Sequence, residues 1–317
     1  MTERSETSAA TSGPAATGPH QPPFRAGFAC FVGRPNAGKS TLTNALVGTK
    51  VAIASSKPQT TRHTVRGVVH RADAQLVLVD TPGLHKPRTL LGQRLNDLVR
   101  TAWAEVDVIG LCIPADEPVG RGDAFIAAEL AALKQPNLVA IVTKTDLVGR
   151  EQLAGQLLAA SALADFVEVV PVSAVRGDQV DLLADLLVKY LPPSPPLYPD
   201  GQLTDEPEQV MVAELIREAA LEGVRDELPH SLAVVVEEML PRAGRDDLLD
   251  VHATVYVERQ SQKAIVVGAR GERMKQVGSA ARVQIEALLG TRIYLDLHVK
   301  VAKDWQRDPR QLRRLGF

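Results

Sequence analysis

The chain has little of what several protein classes require. Two cysteines in 317 residues cannot build a disulfide framework, and both Cys30 and Cys112 sit inside apolar runs, where a small buried thiol is at home. The longest uncharged apolar stretch, residues 108–115, is far shorter than the roughly 18 residues that span a bilayer as a helix, so an integral helical membrane protein is excluded. Residues 1–23 are Ser-, Thr-, Ala-, Gly- and Pro-rich with no apolar signal core, which leads us to expect a disordered tail and a cytoplasmic protein. The seven histidines are scattered and show no metal-ligand spacing. Charge of one sign is also lacking: 36 Lys and Arg against 38 Asp and Glu argue against a simple polybasic protein. That balance conceals a split, because residues 200–258 carry 15 acidic and 4 basic side chains whereas residues 259–317 carry 5 and 13. Only the last segment has the charge of a polyanion-binding surface.

Hydrophobic residues make up 45% of the chain, enough for the cores of two ordinary domains. Residues 27–33 (GFACFVG) read as a buried strand, and from Lys39 the spacing turns helical, with Leu42, Ala45 and Leu46 on one side. Apolar runs at 76–79, 106–113, 138–142 and 167–172 then alternate with helical segments at 90–103, 123–134, 151–164 and 180–190. This order predicts an α/β fold, a doubly wound and mostly parallel sheet. Five prolines within residues 191–199 mark a linker. The expected division is a tail (1–23), a nucleotide-binding domain (24–190), a linker (191–207) and a second domain (208–317) in the order α-β-β-α-α-β.

Three short motifs carry the chemistry. Gly33, Arg34, Pro35, Asn36, Ala37, Gly38, Lys39 and Ser40, followed by Thr41, match the phosphate loop G-x-x-x-x-G-K-[ST] between a strand and a helix. Its glycines let backbone N–H groups turn toward phosphate oxygens, Lys39 reaches the β- and γ-phosphates, and Ser40 can ligate magnesium. A lysine just inside a helix N-terminus opposes the helix dipole unless an anion compensates it. Such a loop leaves ATP and GTP both open. Asp80, Thr81, Pro82 and Gly83 follow a strand, where Asp80 can hold the magnesium shell and the Gly83 N–H can face a γ-phosphate. Base choice would come from Thr143, Lys144, Thr145 and Asp146. The Asp146 carboxylate can accept from both N1–H and the exocyclic amine of guanine, and Lys144 can lie over the base. Ser173 and Ala174, after a further strand, would complete the pocket. Alone, TKTD is an ordinary solvated loop.

GRPNAGKST, KPQTTR, DTPGLH and TKTD, in this order and followed by a GxxG segment, resemble the Era family of bacterial GTPases. The resemblance spans about residues 27–317. It implies a Ras-like G domain joined to a type II KH domain, GTP and GDP with Mg²⁺ as ligands, and 16S ribosomal RNA and the 30S subunit as partners in ribosome assembly. A monomer with a peripheral membrane fraction is implied as well. Carried onto this chain, residues 57–62 form the first switch, with Thr61 the magnesium ligand and Thr60 the alternative. Lys39, Thr61, Gly83 and Asn36 are then the candidate catalytic residues, and Ser40, Thr61 and Asp80 the candidate metal ligands. Two departures stand out: Thr143 replaces the asparagine of NKxD, and Leu84 follows DTPG where a water-orienting glutamine would serve. Relatives activated by potassium suggest that the Asn36 amide oxygen holds K⁺ in place of an arginine finger, with loop shaping as the alternative role; Arg62 is the other candidate cation. The KH resemblance places RNA contacts at Gly268, Ala269, Arg270, Gly271, Arg273 and Lys275, where glycine backbone lets a single strand approach. Ile265, Val266, Val267, Met274, Val277, Ile285 and Leu288 are expected in the core. Six basic residues between 300 and 314 would extend the RNA site.

Overall fold

The computed structural model describes residues 23–317 apart from 56, 58–59, 85–86, 88, 134–136 and 225–227. The expected tail up to residue 22, Pro58 and Gln59 of the first switch, His85 after DTPG and the expected helix end at Lys134 lie outside the described residues. Strand β1 (Arg25–Val32) leads through the glycine loop into α1 (Lys39–Val47), followed by the hairpin β2 (Val65–His70) and β3 (Ala74–Asp80). The chain then alternates through α2 (Leu90–Glu105), β4 (Val108–Pro114), α3 (Arg121–Ala132), β5 (Leu138–Thr143), α4 (Arg150–Ser161), β6 (Glu168–Pro171) and α5 (Val180–Lys189). The strands lie in the order β2-β3-β1-β4-β5-β6, with β2 antiparallel to β3 and the other neighbours parallel. Every residue of β3, β4 and β5 is buried, because helices cover both faces; hence their unbroken apolar runs. Strand β2 was not expected. Its sequence, VRGVVH, interrupts the apolar pattern with Arg66 and His70, as an edge strand permits.

The proline-rich segment is strapped to this sheet. Leu203 accepts at its carbonyl from the Val68 N–H (2.9 Å), and the Gln75 amide oxygen accepts from the N–H groups of Leu197 (2.6 Å) and Tyr198 (2.8 Å). The strap thereby covers part of the β2 edge.

Beyond it come α6 (Glu208–Leu221), the short α7 (Leu228–Ser231), β7 (Ala233–Arg242), β8 (Arg245–Val257), α8 (Gln260–Val267), α9 (Glu272–Leu289) and β9 (Arg292–Val301). The sheet order is β7-β8-β9, antiparallel then parallel. Val212, Leu215 and Ile216 of α6 and Val277, Ala281 and Ile285 of α9 share one core with Val251, Ala253 and Val255 of β8. Two expected core residues are exposed instead, Ile265 at 53% and Leu288 at 38%, because their positions on α8 and α9 fall outside that buried stripe. Helix α7 and the C-terminal α10 (Pro309–Arg314) are each too short to show a helical period in the sequence. Trp305, Leu312 and Leu315 are buried with Leu91 and Leu95 of α2, so the C-terminal segment docks on the first domain, with Arg307, Arg310, Arg313 and Arg314 left at the surface.

Candidate functional site

The carboxyl ends of β1, β3, β5 and β6 open onto one edge of the sheet, where doubly wound folds bind ligands. The phosphate loop leaves β1 at Gly33, where a Cβ would lie 2.5 Å from the Cys112 carbonyl oxygen. It ends at Gly38, the left-handed N-cap of α1 (φ 85°), whose missing side chain caps nothing. Lys39 is buried, and its ammonium donates to the carbonyls of Gly33 (3.2 Å) and Arg34 (3.0 Å). Burial pushes its pKa down, with Asp80 pulling the other way. A buried cation held by two carbonyls is suited to a phosphate. Lys39→Met is therefore expected to leave the ligand-free melting temperature unchanged or raised. Stabilisation by GTP with Mg²⁺, about 2.7 kcal/mol at a hundredfold excess over Kd, should disappear in the same thermal unfolding series.

Beside the lysine, three oxygens meet. Ser40 Oγ donates to Asp80 Oδ2 (2.8 Å), Thr61 Oγ1 donates to the same oxygen (3.1 Å), and the two hydroxyls are 3.1 Å apart. Asp80 is fully buried and its Oδ1 has no hydrogen-bond partner among the described residues. Burial raises its carboxyl pKa, against Ser40, Lys39 and Thr61, which pull it down. A hard all-oxygen donor set with an unpaired carboxylate oxygen fits a magnesium ion. The Thr60 hydroxyl turns back to the Lys57 carbonyl (2.6 Å), so Thr61 is the threonine brought to this cluster. A Cβ on Gly83 would lie 3.6 Å from Lys39 Nζ, which places that glycine directly across the cradle. Asn36, Thr41 and Lys57 line the same cavity, with Asn36 left-handed at φ 63°. Thr81 and Pro82 are buried, and Leu84 packs into the core face beneath. The Arg34 side chain instead leaves the cradle for Asp123 (2.8 Å) and Glu117 (3.0 Å), so only its backbone faces the loop.

The base-side residues gather at the ends of β5 and β6. Thr143 is buried and donates its hydroxyl to the Ala37 carbonyl (2.7 Å), tying β5 to the phosphate loop. The residue in the asparagine position thus keeps a structural link although it lacks an amide. Lys144 is left-handed (φ 56°) and pairs with Asp116 (3.2 Å). Thr145 and Asp146 begin a 3-10 turn, and the Asp146 carboxylate accepts from Ser173 Oγ at 2.7 Å. Ser173 Oγ in turn accepts from the Arg176 N–H (3.2 Å), with Ala174 adjoining. Asp116, Asp123 and Arg176 were not anticipated, because no local spacing marks them.

A family model described as 50S ribosome-binding GTPase matches residues 28–144, and a KH domain model matches residues 227–306. The GTPase Era of Streptomyces coelicolor is 71% identical, over 94% of this chain and 97% of that protein. The chain belongs to the Era family. The GTPase Era of Mycolicibacterium smegmatis is 66% identical over 93% of this chain and 99% of its own. Two crystal structures at 35% identity cover 92% of this chain and 99% of theirs: Era with MgGDPNP and nucleotides 1506–1542 of 16S ribosomal RNA (TM-score 0.89), and an Aquifex aeolicus Era variant bound to GDP and aluminium fluoride (TM-score 0.88). This chain is thus a GTPase of the Era family, a P-loop G domain followed by a KH domain.

In this Era-family chain the GxxG segment turns between α8 and α9. Gly268 (φ 75°) is obligatory, since a Cβ would lie 2.6 Å from the Arg273 Cβ, whereas Gly271 (φ 80°) faces open space. Ala269, Arg270 and Lys275 are exposed, and exposed Ile265 lies on the preceding helix. Arg273 is otherwise engaged: its guanidinium donates to the carbonyls of Ala220 (3.3 Å) and Glu222 (2.6 Å) at the end of α6. Arg62 does not lie at the phosphates either. It is fully buried and donates to three carbonyls of the second domain.

Proposed function

We propose that this chain binds and hydrolyses GTP in the Gly33–Ser40 cradle and that the nucleotide state governs how its KH domain engages the 3′ end of 16S ribosomal RNA during 30S subunit assembly. The observation that carries the reading is the meeting of Ser40, Thr61 and Asp80 beside buried Lys39. Asp146, steadied by Ser173, reads the guanine edge, and Lys144 lies over the base. Lys39 draws charge from the β- and γ-phosphates, and the Gly83 N–H meets the γ-phosphate. Bound Mg²⁺ would be held by Ser40, Thr61 and, through its shell, Asp80, and would neutralise charge developing on the phosphate oxygens. Arg270 and Lys275 supply phosphate contacts at the GxxG turn, which suits the MgGDPNP and ribosomal RNA complex formed by the related Era. No described helix is long and apolar enough to cross a membrane. A cytoplasmic monomer with a peripheral membrane fraction, as the family resemblance implies, completes the reading.

Leu84 cannot orient a water, and Arg62 is buried elsewhere, so a further positive charge has to come from outside these two residues. Asn36 lines the phosphate cavity and is the residue of this reading for K⁺. GTP turnover by the full chain should be slow, exceed ATP turnover, and rise about tenfold when sodium is exchanged for potassium at constant ionic strength. Asn36→Ala should lose that rise while still binding GTP. Equal rates in the two salts would remove the potassium assignment, and absence of GTP turnover with Mg²⁺ would remove the hydrolytic one.

A further inference from the structure

Thr61 is gripped on both sides by the second domain. The carbonyl of the preceding residue, Thr60, accepts from the guanidinium of Arg217 on α6. Arg217 is 1% exposed and is fixed by Glu214 through Nε–Oε1 (2.8 Å) and Nη2–Oε2 (2.6 Å). Burial alone would raise the Glu214 carboxyl, but Arg217 beside it holds it below the usual carboxylate range. The following residue, Arg62, donates to the carbonyls of Leu232 (2.6 Å), Pro229 (2.7 Å) and His230 (2.8 Å) around α7. Its guanidinium carbon lies 5.8 Å from the Trp305 ring centroid and 6.0 Å from that of Phe317. Phe317 stacks on His63 (5.0 Å), and its carbonyl accepts from Arg94 (2.7 Å). Helix α6 also holds the start of the segment, where Glu218 accepts from the Ala54 N–H (2.9 Å) and pairs with Lys50.

Two buried guanidinium groups beside each other, with Glu214 and Glu258 as the nearby carboxylates, are a poor way to stabilise a domain contact, because desolvation of the charges offsets their attraction. What they do provide is a fixed position for the backbone between them. With that stretch of backbone so held, the Thr61 hydroxyl lies 3.1 Å from both Ser40 Oγ and Asp80 Oδ2. We propose that Arg217 is a positioning residue of the GTPase site: through the Thr60 carbonyl it sets the Thr61 hydroxyl at the metal cluster, so that magnesium-dependent turnover in the first domain depends on how the second domain is docked. The inference rests on the hydrolytic reading of the Ser40–Thr61–Asp80 cluster. By reciprocity, a metal that takes hold of Thr61 acts on α6 and α7, and an RNA that moves the second domain changes the metal site.

A double-mutant cycle on the full chain tests this, with Mg²⁺ titrated in GTP turnover and in nucleotide binding. Arg217→Ala should raise the half-activating Mg²⁺ concentration and lower kcat, each about tenfold, while GDP affinity without Mg²⁺ changes less than about twofold. In a Thr61→Ala background the same substitution should cost nothing further, which a merely structural arginine would not show. Arg217→Lys keeps a cation beside Glu214 but not the planar fork, should fall between, and supplies the same cycle where the alanine variant melts early. Equal costs in the two backgrounds, or an unchanged Mg²⁺ requirement in both Arg217 variants, would overturn the proposal. A parent chain that turns over no GTP would instead overturn the hydrolytic reading, and Mg²⁺-dependent nucleotide affinity would still decide the role of Arg217.

Discussion

Asparagine in place of Asp146 is expected to lower GTP affinity by about 10⁴-fold, because a matched buried polar pair is replaced by a donor facing a donor. In the proposed base contact the carboxylate would serve guanine as a double acceptor, and the Ser173 hydroxyl donates to it at 2.7 Å. An asparagine amide turns one of those acceptors into a donor, which suits the carbonyl that xanthine carries in place of the amine. Xanthosine triphosphate affinity should therefore rise as GTP affinity falls, and ATP should gain nothing. Nucleotide titrations of the parent and Asp146→Asn chains at fixed Mg²⁺ check this. Unchanged GTP binding with no gain for xanthosine triphosphate would show that the Asp146 loop does not read the base.

A carboxylate at Gly271 is expected to weaken RNA binding by about a hundredfold, since a like charge brought against a phosphate costs several kcal/mol and each 1.4 kcal/mol is tenfold. Gly271 is the cleaner of the two glycines for this purpose. At Gly268 a Cβ would strike the Arg273 side chain at 2.6 Å, so loss of binding there would be mixed with distortion of the turn. At Gly271 nothing lies within 4 Å, and the added cost is confined to its left-handed backbone, φ 80°. GTP turnover without RNA should remain within about twofold of the parent, because the turn touches no residue of the phosphate cradle. Parental binding should weaken steeply with salt, each neutralised phosphate contributing a log–log slope of about 0.7 on a single strand. Parental RNA affinity in Gly271→Asp would remove the GxxG turn from the RNA site.

The parts of this molecule that were legible in its sequence are those whose geometry is made locally. The phosphate loop needs its glycines within eight consecutive residues, and the DTPG and TKTD turns stand at the ends of strands whose complete burial writes them as apolar runs. Strand β9 and helix α9 fit the expected β and α of the second domain because each alternates or repeats cleanly over ten residues or more. What escaped notice depends on partners far along the chain. Arg217 meets Thr60 across 157 residues and Arg62 meets Leu232 across 170, and no spacing rule connects such pairs. The sequence around Arg62 and Arg273 suggests available cations, whereas tertiary packing commits both to backbone carbonyls. The basic C-terminal segment shows the same limit: its charge was evident, but the burial of Trp305, Leu312 and Leu315 against α2 follows only from the domain arrangement.

In the proposed coupling, the metal cluster at Thr61 and the RNA-binding turn belong to one switch. The direct measurement is the affinity of the full chain for a 16S ribosomal RNA 3′-end fragment, equivalent to nucleotides 1506–1542, with GDP and with a non-hydrolysable GTP analogue at the same Mg²⁺ and salt. Coupling predicts that the two affinities differ by about tenfold or more, with tighter binding in the GTP-like state, and that Thr61→Ala erases the difference. Equal affinities in the two nucleotide states of the parent chain would show that the metal cluster and the RNA-binding turn are not coupled.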